Sequence, residues 1–139
     1  MKMTAPFLLR LTFCAAIGLV SAVAQNQDPP PNQPFQTVHL INLRSADAQK
    51  AFLAALTDIN AAIAKAGCAK CAYHLWKVIG TQAGDYNYRW TSNWPGSEVY
   101  LKVHNSPGYQ AAINKHQQDL DAVMNAQIYN RYVAVTPDK

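Results

Sequence analysis

Apolar side chains recur at helical spacing in the first half of the chain. After Ser45 and Asp47, which are typical of a helix N-terminus, they follow one another at intervals of four, three, four and three residues. The positions on this face are Phe52, Leu56, Ile59, Ile63 and Ala66. Gly67 favours a helix end directly after them. The pattern therefore predicts one amphipathic helix between Ser45 and Gly67.

Two further helical segments are indicated in the second half of the chain. Ser97 favours the start of a short helix that ends near His104. Ser106 and Pro107 favour the start of a longer helix, with Ser as N-cap and Pro at the first helical position. The apolar face of this longer helix is predicted to carry Tyr109, Ala112, Ile113, His116, Leu120, Val123 and Met124.

Four β-rich segments accompany these helices, at residues 37–44, 72–80, 86–92 and 128–136. In the third segment Tyr88 and Trp90 alternate with Arg89 and Thr91, so the two pairs face opposite sides of a sheet. A Gly-Asp pair between the second and third segments favours a hairpin connection. The second and third strands are therefore expected to pair antiparallel.

The predicted elements follow one another in the order β-α-β-β-α-β. This is the order of the ferredoxin-like split βαβ motif, in which a four-stranded antiparallel sheet carries both helices on one face. We therefore expect an α+β ferredoxin-like domain over residues 37–136. The other sheet face is half polar at Asn87, Arg89 and Thr91, which suits either solvent or the sheet of a partner.

The first 24 residues have the pattern of an export signal. Lys2 and Arg10 supply positive charge, and the apolar run that follows is too short to cross a bilayer. Ala22-Val23-Ala24 fits a signal-peptidase site, so we expect cleavage after Ala24 and a soluble, exported protein without a membrane segment, periplasmic or secreted. A buried N-terminal helix is the alternative. Residues 25–36, which are rich in Pro, are expected to form an extended tether.

Charge and composition exclude several classes of function. Lys2 and Arg10 are two of the 12 basic residues, so ten remain after cleavage against eight acidic ones, a net charge of +2. No cluster of Lys and Arg indicates nucleic-acid binding. Glu98 is the only Glu, and the sequence shows no paired-carboxylate site, no Ser-His-Asp arrangement and no Gly-rich phosphate loop. The sequence indicates no cofactor.

Two cysteines follow the first predicted helix, Cys68 and Cys71. Three interpretations stay open for them. An oxidising compartment favours a local disulfide. A thioredoxin-like redox pair needs a helix N-terminus, whereas this pair follows a helix C-terminus. A metal site needs two further ligands, of which His74 is one candidate. We expect the disulfide.

One stretch of the sequence is similar to a known superfamily. Trp90-Thr-Ser, followed by a helix start and by His104-Asn-Ser-Pro-Gly-Tyr-Gln-Ala-Ala-Ile, resembles the third-strand and second-helix signature of the dimeric α+β barrel proteins. That superfamily includes antibiotic-biosynthesis-type monooxygenases and NIPSNAP-like and EthD-like domains. The resemblance implies a homodimer whose two sheets face each other, and a pocket between sheet and helices in each subunit.

The resemblance does not extend to haem degradation. Haem-degrading members carry an Asn on the first strand and a Trp and a His on the second helix. Asn42 matches the first of these, but Val103 and Ile113 stand at the other two positions. Cofactor-independent monooxygenases of the superfamily act on polycyclic phenols with Trp, Asn, Tyr and Arg side chains, which this sequence contains without a diagnostic spacing.

His39 is the first candidate for chemistry, because it shares a strand face with apolar residues and would point toward the helices. A neutral imidazole could deprotonate a phenol. If the protein is an enzyme, we predict that His39, Tyr88 and Trp90 form its catalytic group. The alternative for His39 is a histidine with a purely structural role.

Three more residues are predicted to bind a ligand: Trp76, His104 and His116. Aromatic side chains commonly form the walls of ligand pockets, but packing of the core and of a dimer is the simpler explanation for them. A metal site of three histidines is a further alternative.

These residues lead to three hypotheses. The first is a non-catalytic homodimer that binds a small planar or apolar compound without a cofactor. The second is a cofactor-independent monooxygenase or isomerase that acts on a small aromatic compound through His39. The third is a structural dimer without a pocket. The absence of a clear catalytic motif favours the first.

Overall fold

The computed structural model describes residues 32–80 and 85–135. The predicted export signal, residues 25–31 of the predicted tether, Gly84 of the predicted hairpin and residues 136–139 lie outside the described residues. Within the two described ranges, no helix combines the length and the apolar character needed to cross a membrane.

The described residues form four strands and four α-helices. The strands are β1 (Phe35–Ile41), β2 (His74–Lys77), β3 (Tyr88–Trp94) and β4 (Ile128–Val133). The helices are α1 (Ala46–Lys65), α2 (Ser97–His104), α3 (Pro107–Lys115) and α4 (Gln117–Met124), and a 3₁₀ turn (Ala69–Cys71) follows α1. Three short helices therefore stand between β3 and β4, where the sequence predicted two.

One antiparallel sheet contains all four strands in the order β2-β3-β1-β4. The helices lie on one face of this sheet, which confirms the predicted α+β ferredoxin-like fold. In the register, His39 of β1 lies opposite Trp90 of β3 on one side and opposite Tyr129 of β4 on the other. Because directly opposite residues share a face, these three rings lie side by side on the helix-facing side.

The core lies between the helix-facing side of the sheet and α1. Phe52 and Ile59 of α1 are buried, as the apolar spacing predicted. The Ser45 hydroxyl accepts a hydrogen bond from the N–H of Ala48 at 3.1 Å and so caps the helix N-terminus. Gly67 has a φ of 95°, which favours glycine after a helix end. The prediction for this helix is confirmed at both ends.

The strand boundaries differ from the predicted ones. β1 begins at Phe35, so Phe35 and Gln36 belong to the sheet and not to the tether. The Phe35 ring is buried and packs on the ring of Tyr100 at a centroid distance of 5.6 Å. The last residues of the predicted tether are therefore part of the folded domain. β2 is only 4 residues long, β3 extends to Trp94, and β4 ends at Val133.

A break at His116 divides the predicted long helix into α3 and α4. The N–H of His116 donates to the carbonyl of Ile113 at 3.1 Å, a tighter turn than that of an α-helix. Its Nε2 lies 2.8 Å from Asp58 Oδ2 on α1, and Lys115 Nζ lies 2.7 Å from the same oxygen. The expectation of a continuous helix is therefore wrong at His116. The apolar pattern did not reveal the break, because buried residues continue at helical spacing on both sides of it.

The two cysteines form a disulfide in the structure, with Cα atoms 5.3 Å apart at Cys68 and Cys71. The 3₁₀ turn that holds Cys71 directly follows the end of α1. Its Cys71 carbonyl accepts a hydrogen bond from Ser92 Oγ of β3 at 2.6 Å. This turn is therefore tied to the sheet just before β2 begins.

Candidate functional site

A cavity of about 230 Å³ lies between the sheet and helices α2, α3 and α4. Six aromatic residues account for much of its wall: His39, Tyr73, Trp90, Tyr100, His104 and Tyr109. Two larger hollows, of about 370 and 290 Å³, are open grooves, one where β1 begins and the other between α1 and α3. The smaller cavity is the candidate site because histidines and tyrosines converge on it.

His39 occupies the middle of β1, where strand alternation turns it toward the helices. Its ring lies 4.2 Å from that of Trp90 and 4.6 Å from that of Tyr129, measured between centroids. The side chain is only 5% exposed. Because burial disfavours the charged imidazolium, the pKa of His39 falls to about 4, and the ring is neutral at pH 7.

The two ring nitrogens of His39 have different surroundings. Nδ1 lies 2.6 Å from the side-chain oxygen of Gln127. Nε2 is buried and has no hydrogen-bond partner among residues 32–80 and 85–135, and the same holds for the indole N–H of Trp90. Both side chains border the cavity. A polar atom that is buried without a partner is uncommon in proteins. The indole N–H of Trp94, which does not line the cavity, is also without a partner among the described residues.

Tyrosine hydroxyls form a second polar group around the cavity. His104 Nδ1 lies 2.8 Å from the carbonyl oxygen of Tyr100, to which it must donate. Its Nε2 therefore accepts from the Tyr73 hydroxyl, at 3.3 Å. The His104 ring stacks on the Tyr100 ring at 3.8 Å, and burial lowers the pKa of His104 to about 4. His104 is thus a neutral ring held in a fixed orientation.

Burial also keeps the neighbouring tyrosines protonated. It raises the pKa of Tyr73 and of Tyr109 well above their usual range and that of Tyr129 to about 12. Arg131 Nε donates to the Tyr129 hydroxyl at 2.7 Å. These phenols are neutral at pH 7 and can serve as donors or acceptors, but not as anionic bases.

Tyr73 owes its position to Asn60 of α1. The Asn60 side-chain oxygen accepts from the N–H of Tyr73 at 2.7 Å, and its NH₂ group donates to the carbonyl of Tyr73 at 2.9 Å. The side chain thus replaces a backbone pairing partner for the residue that precedes β2. The disulfide-containing turn and this pair of bonds together fix one wall of the cavity.

The structure brings together His39, Trp90 and His104 of the predicted site residues. Tyr88 is buried on the same strand face as Trp90 but does not line the cavity, because residues two apart on a strand are separated by about 7 Å. Trp76 and His116, which were predicted to bind a ligand, do not line the cavity either.

Trp76 and His116 both lie away from the cavity. Trp76 is opposite Arg89 in the β2–β3 register and therefore faces the open side of the sheet. It is 52% exposed there, with its indole N–H donating to Thr91 Oγ1 at 3.0 Å. His116 pairs with Asp58 at the break between α3 and α4. His116, which was predicted to bind a ligand together with His104, therefore does not line the cavity.

Five further residues of the site were missed in the sequence: Tyr73, Tyr100, Tyr109, Tyr129 and Gln127. Two of them carried a usable signal. Tyr100 stands four residues before His104 on a predicted helix, and Tyr129 has the alternation of a strand whose face could be assigned. Tyr73 lies in the predicted segment 72–80, whose apolar residues do not alternate, and Gln127 directly precedes the last predicted strand, so no local pattern assigns either side chain to the site.

No group of three His, Cys, Asp or Glu side chains that could hold a metal ion occurs in the part of the chain that the structure describes. His39 and His104 share the cavity, but His116 does not join them. The alternative of a three-histidine metal site is therefore wrong for these residues.

No profile of a known protein family and no curated protein matches the sequence. Solved structures do share its fold. A dimeric ferredoxin-like protein of unknown function from Thermobifida fusca YX superposes with a TM-score of 0.54 at 13% identity, over 74% of this chain and 92% of that chain. A DABB family protein with a ferredoxin-like fold from Mesorhizobium loti MAFF303099 gives 0.53 at 11% identity, over 75% and 99%.

A third structure connects the fold to oxygenases. A proposed antibiotic biosynthesis monooxygenase from Caulobacter crescentus CB15 superposes with a TM-score of 0.50 at 16% identity, over 76% of this chain and 92% of that chain. Identities this low establish the fold and not the activity. The chain therefore shares the ferredoxin-like fold of these solved structures, as the order of its elements predicted.

Proposed function

We propose that the protein binds a small, planar and largely apolar compound in the cavity between sheet and helices, without converting it. The observation that carries this proposal is the unpartnered Nε2 of His39 beside a cavity with aromatic walls. Leaving a buried acceptor unpaired costs about 1–3 kcal/mol, which a ligand with a suitable polar group recovers. Flat rings add stacking contacts with the aromatic side chains.

The size of the cavity limits the compound. Pockets for drug-sized ligands have volumes of about 300–1,000 Å³, whereas this cavity has about 230 Å³. One or two fused rings fit such a space better than a larger polycyclic compound does. The ligand proposed here is therefore a mono- or bicyclic aromatic compound.

The pKa of His39 favours binding over catalysis. A base whose conjugate acid has a pKa of about 4 is poorly matched to a phenol with a pKa of about 10, and the proton transfer is uphill by about 8 kcal/mol. The nearby phenols keep their protons and supply no stronger base. A general base for deprotonation of an aromatic substrate would need a pKa nearer neutrality.

A cofactor-independent monooxygenase or isomerase is the second candidate. It is favoured by the neutral imidazole of His39, which lies beside Trp90 at the cavity, and by the structural likeness to the proposed monooxygenase from Caulobacter crescentus. In that case the substrate itself must be acidic enough to transfer its proton to His39. A dihydroxyaromatic compound or an enol with a low pKa would satisfy that condition.

The proposal includes export and a homodimer. The N-terminal 24 residues support export through their signal-like pattern. The open side of the sheet supports a dimer, because Trp76, Ile128 and Tyr132 expose large side chains there, and the Thermobifida fusca protein of the same fold is dimeric. In such a dimer each subunit retains its own cavity on the helix-facing side.

Native mass spectrometry of the protein from its own exported fraction tests these points together. We expect two chains of residues 25–139, each lighter by two hydrogens for the disulfide, with a retained small molecule. The substitution Ile113→Trp, which fills the cavity wall, should abolish retention. The matched variant Leu53→Trp, on the exposed face of α1, should keep it. A chain that retains nothing and binds neither naphthalene nor indole contradicts the proposal.

Incubation of the protein in air with the retained compound separates binding from catalysis. The binding proposal predicts that the compound is recovered unchanged by liquid chromatography and mass spectrometry. An oxidised or rearranged product that the wild type forms and His39→Phe does not form would replace the binding proposal with the second candidate.

A further inference from the structure

We propose that Gln127 fixes the tautomer of His39, so that the cavity presents a hydrogen-bond acceptor and selects compounds with an O–H or N–H donor over compounds of the same shape without one. Gln127 is then a specificity-determining residue that acts through His39. The selectivity rests on the proposed function, whereas the tautomer is a property of the chain itself and can be measured separately.

The first step of the argument is the contact between the two side chains. His39 Nδ1 and Gln127 Oε1 are 2.6 Å apart. A carboxamide oxygen only accepts, so the hydrogen of this bond belongs to Nδ1. A neutral imidazole has one N–H, and the burial of His39 keeps it neutral at pH 7. Nε2 therefore carries a lone pair and no hydrogen.

The second step is the position of Gln127 in the fold. It directly precedes β4, whose first residue, Ile128, is paired with Leu40 of β1. Strand alternation places Gln127 on the same side as Tyr129, which lies opposite His39. The pairing of β1 with β4 therefore positions the Gln127 carboxamide beside the His39 imidazole, and the contact does not depend on a flexible surface loop.

The third step concerns the direction that remains for Nε2. Trp90 and Tyr129 cover the flanks of the His39 ring at centroid distances of 4.2 and 4.6 Å. Nε2 is buried without a partner in the described residues, and His39 borders the cavity. Less than 1 Å² of Nε2 is accessible, so a ligand in the cavity satisfies the lone pair only if the cavity wall moves as it binds, and only a donor can do so.

The expected discrimination follows from the cost of an unsatisfied acceptor. A site built to bond a donor loses that bond and leaves its own polar atom unpaired when the donor is missing. We expect a compound with the donor to bind about tenfold to a hundredfold more tightly than its counterpart without it.

Isothermal titration of the full mature chain with 2-naphthol and 2-fluoronaphthalene tests the selectivity. The wild type should prefer 2-naphthol by about tenfold or more. Gln127→Leu frees the tautomer and should bring the two dissociation constants within about threefold of each other. Gln127→Glu, whose carboxylate also accepts from Nδ1, should restore the preference. Gln118→Leu, on an exposed part of α4 away from the cavity, is the matched control.

Nitrogen NMR of protein labelled in histidine tests the tautomer without any ligand. The wild type and Gln127→Glu should show His39 protonated at Nδ1, whereas Gln127→Leu should show a mixture. A wild type protonated at Nε2 overturns the proposal, because the amide would then be reversed and the cavity would favour acceptors such as quinoline.

The outcomes distinguish the two proposals. Equal binding of both naphthalenes to the wild type overturns the role of Gln127 and leaves the proposed binding function intact. Binding of neither overturns the binding function, and the selectivity with it, even if the NMR spectrum shows the expected tautomer.

Discussion

At the scale of single residues, the pKa values of two imidazoles make the stability of the fold depend on pH near neutrality. His39 and His104 have pKa values of about 4 in the folded protein because burial disfavours their charged forms. In the unfolded chain histidine titrates near 6.5. Between these values the unfolded chain binds protons that the folded chain does not, so the stability must rise with pH in this window.

This asymmetry gives a pH prediction. The buried histidines should contribute their full stabilisation above pH 6.5, and the free energy of unfolding should fall as the pH drops toward 4. His39 alone should account for a loss of about 2 kcal/mol between pH 7 and pH 5. Urea denaturation at a series of pH values measures this slope. His39→Phe should make the dependence on pH less steep, because only His104 then contributes, whatever the effect of the substitution on stability at pH 7. A slope that is unchanged in this variant would show that His39 is not buried as described.

Asn60 provides a second prediction at this scale. Its side chain makes both hydrogen bonds to the backbone of Tyr73. Asn60→Ala leaves an N–H and a carbonyl without partners in a half-buried place, so we expect a loss of about 2–3 kcal/mol in the free energy of unfolding. Thermal denaturation measures it, with Asn114→Ala on the exposed side of α3 as control. Equal melting temperatures for the two variants would contradict the structure.

The candidate site could be predicted from the sequence only where side-chain direction follows from a regular element. His39 and Trp90 were found because strand alternation assigns their face. Tyr73 is positioned by Asn60, 13 residues away, and Gln127 meets His39 across a separation of 88 residues. Contacts of this kind depend on the tertiary structure, and no local spacing encodes them.

At the scale of elements, α1 shows the strongest agreement between sequence and structure. Its N-cap, its apolar spacing and its terminal glycine all specify the same helix. Each signal is weak alone, and their agreement made the boundaries predictable.

The cap of α1 can be tested directly. Ser45→Ala removes the side-chain acceptor for the N–H of Ala48 and should lower the free energy of unfolding by about 1 kcal/mol. Ser45→Asp, which retains an acceptor at a favoured N-cap position, should stay within a few tenths of the wild type. Chemical denaturation followed by circular dichroism distinguishes the two. A larger loss for Asp than for Ala would contradict the capping role.

The other elements were predicted in type but not in extent. The break at His116 is invisible in the apolar pattern because a bond to Asp58, 58 residues away, accompanies it. β2 likewise begins only at His74, and the backbone groups of the preceding Tyr73 are bonded to the side chain of Asn60. The local sequence determined the type of each of these elements, whereas contacts with residues distant in the sequence determined where the elements end.

At the scale of the whole molecule, the open side of the sheet should be the dimer interface. Ile128 is 42% exposed there. Ile128→Lys places a charge within the proposed interface and should weaken the dimer at least tenfold, since an unpaired charge is costly to bury. Sedimentation equilibrium measures the change.

The matched control for this prediction is Leu101→Lys. Leu101 is 53% exposed on α2, on the helix side of the molecule, and its substitution should leave the dimer unaffected. A wild type that sediments as a monomer, or two variants that dissociate equally, would remove the sheet face from consideration as the interface.

The sheet is one layer thick and carries three indoles, those of Trp90 and Trp94 on the helix-facing side and that of Trp76 on the open side. Trp90 lies beside the cavity against His39, whereas Trp76 stands on the opposite face and is half exposed. Ultraviolet emission from the two residues should therefore respond to different events. A molecule that enters the cavity perturbs Trp90, which shares the blue-shifted emission with the buried Trp94, and association through the open face shifts the red emission of Trp76. The protein thus contains its own two optical reporters, one for occupancy and one for assembly.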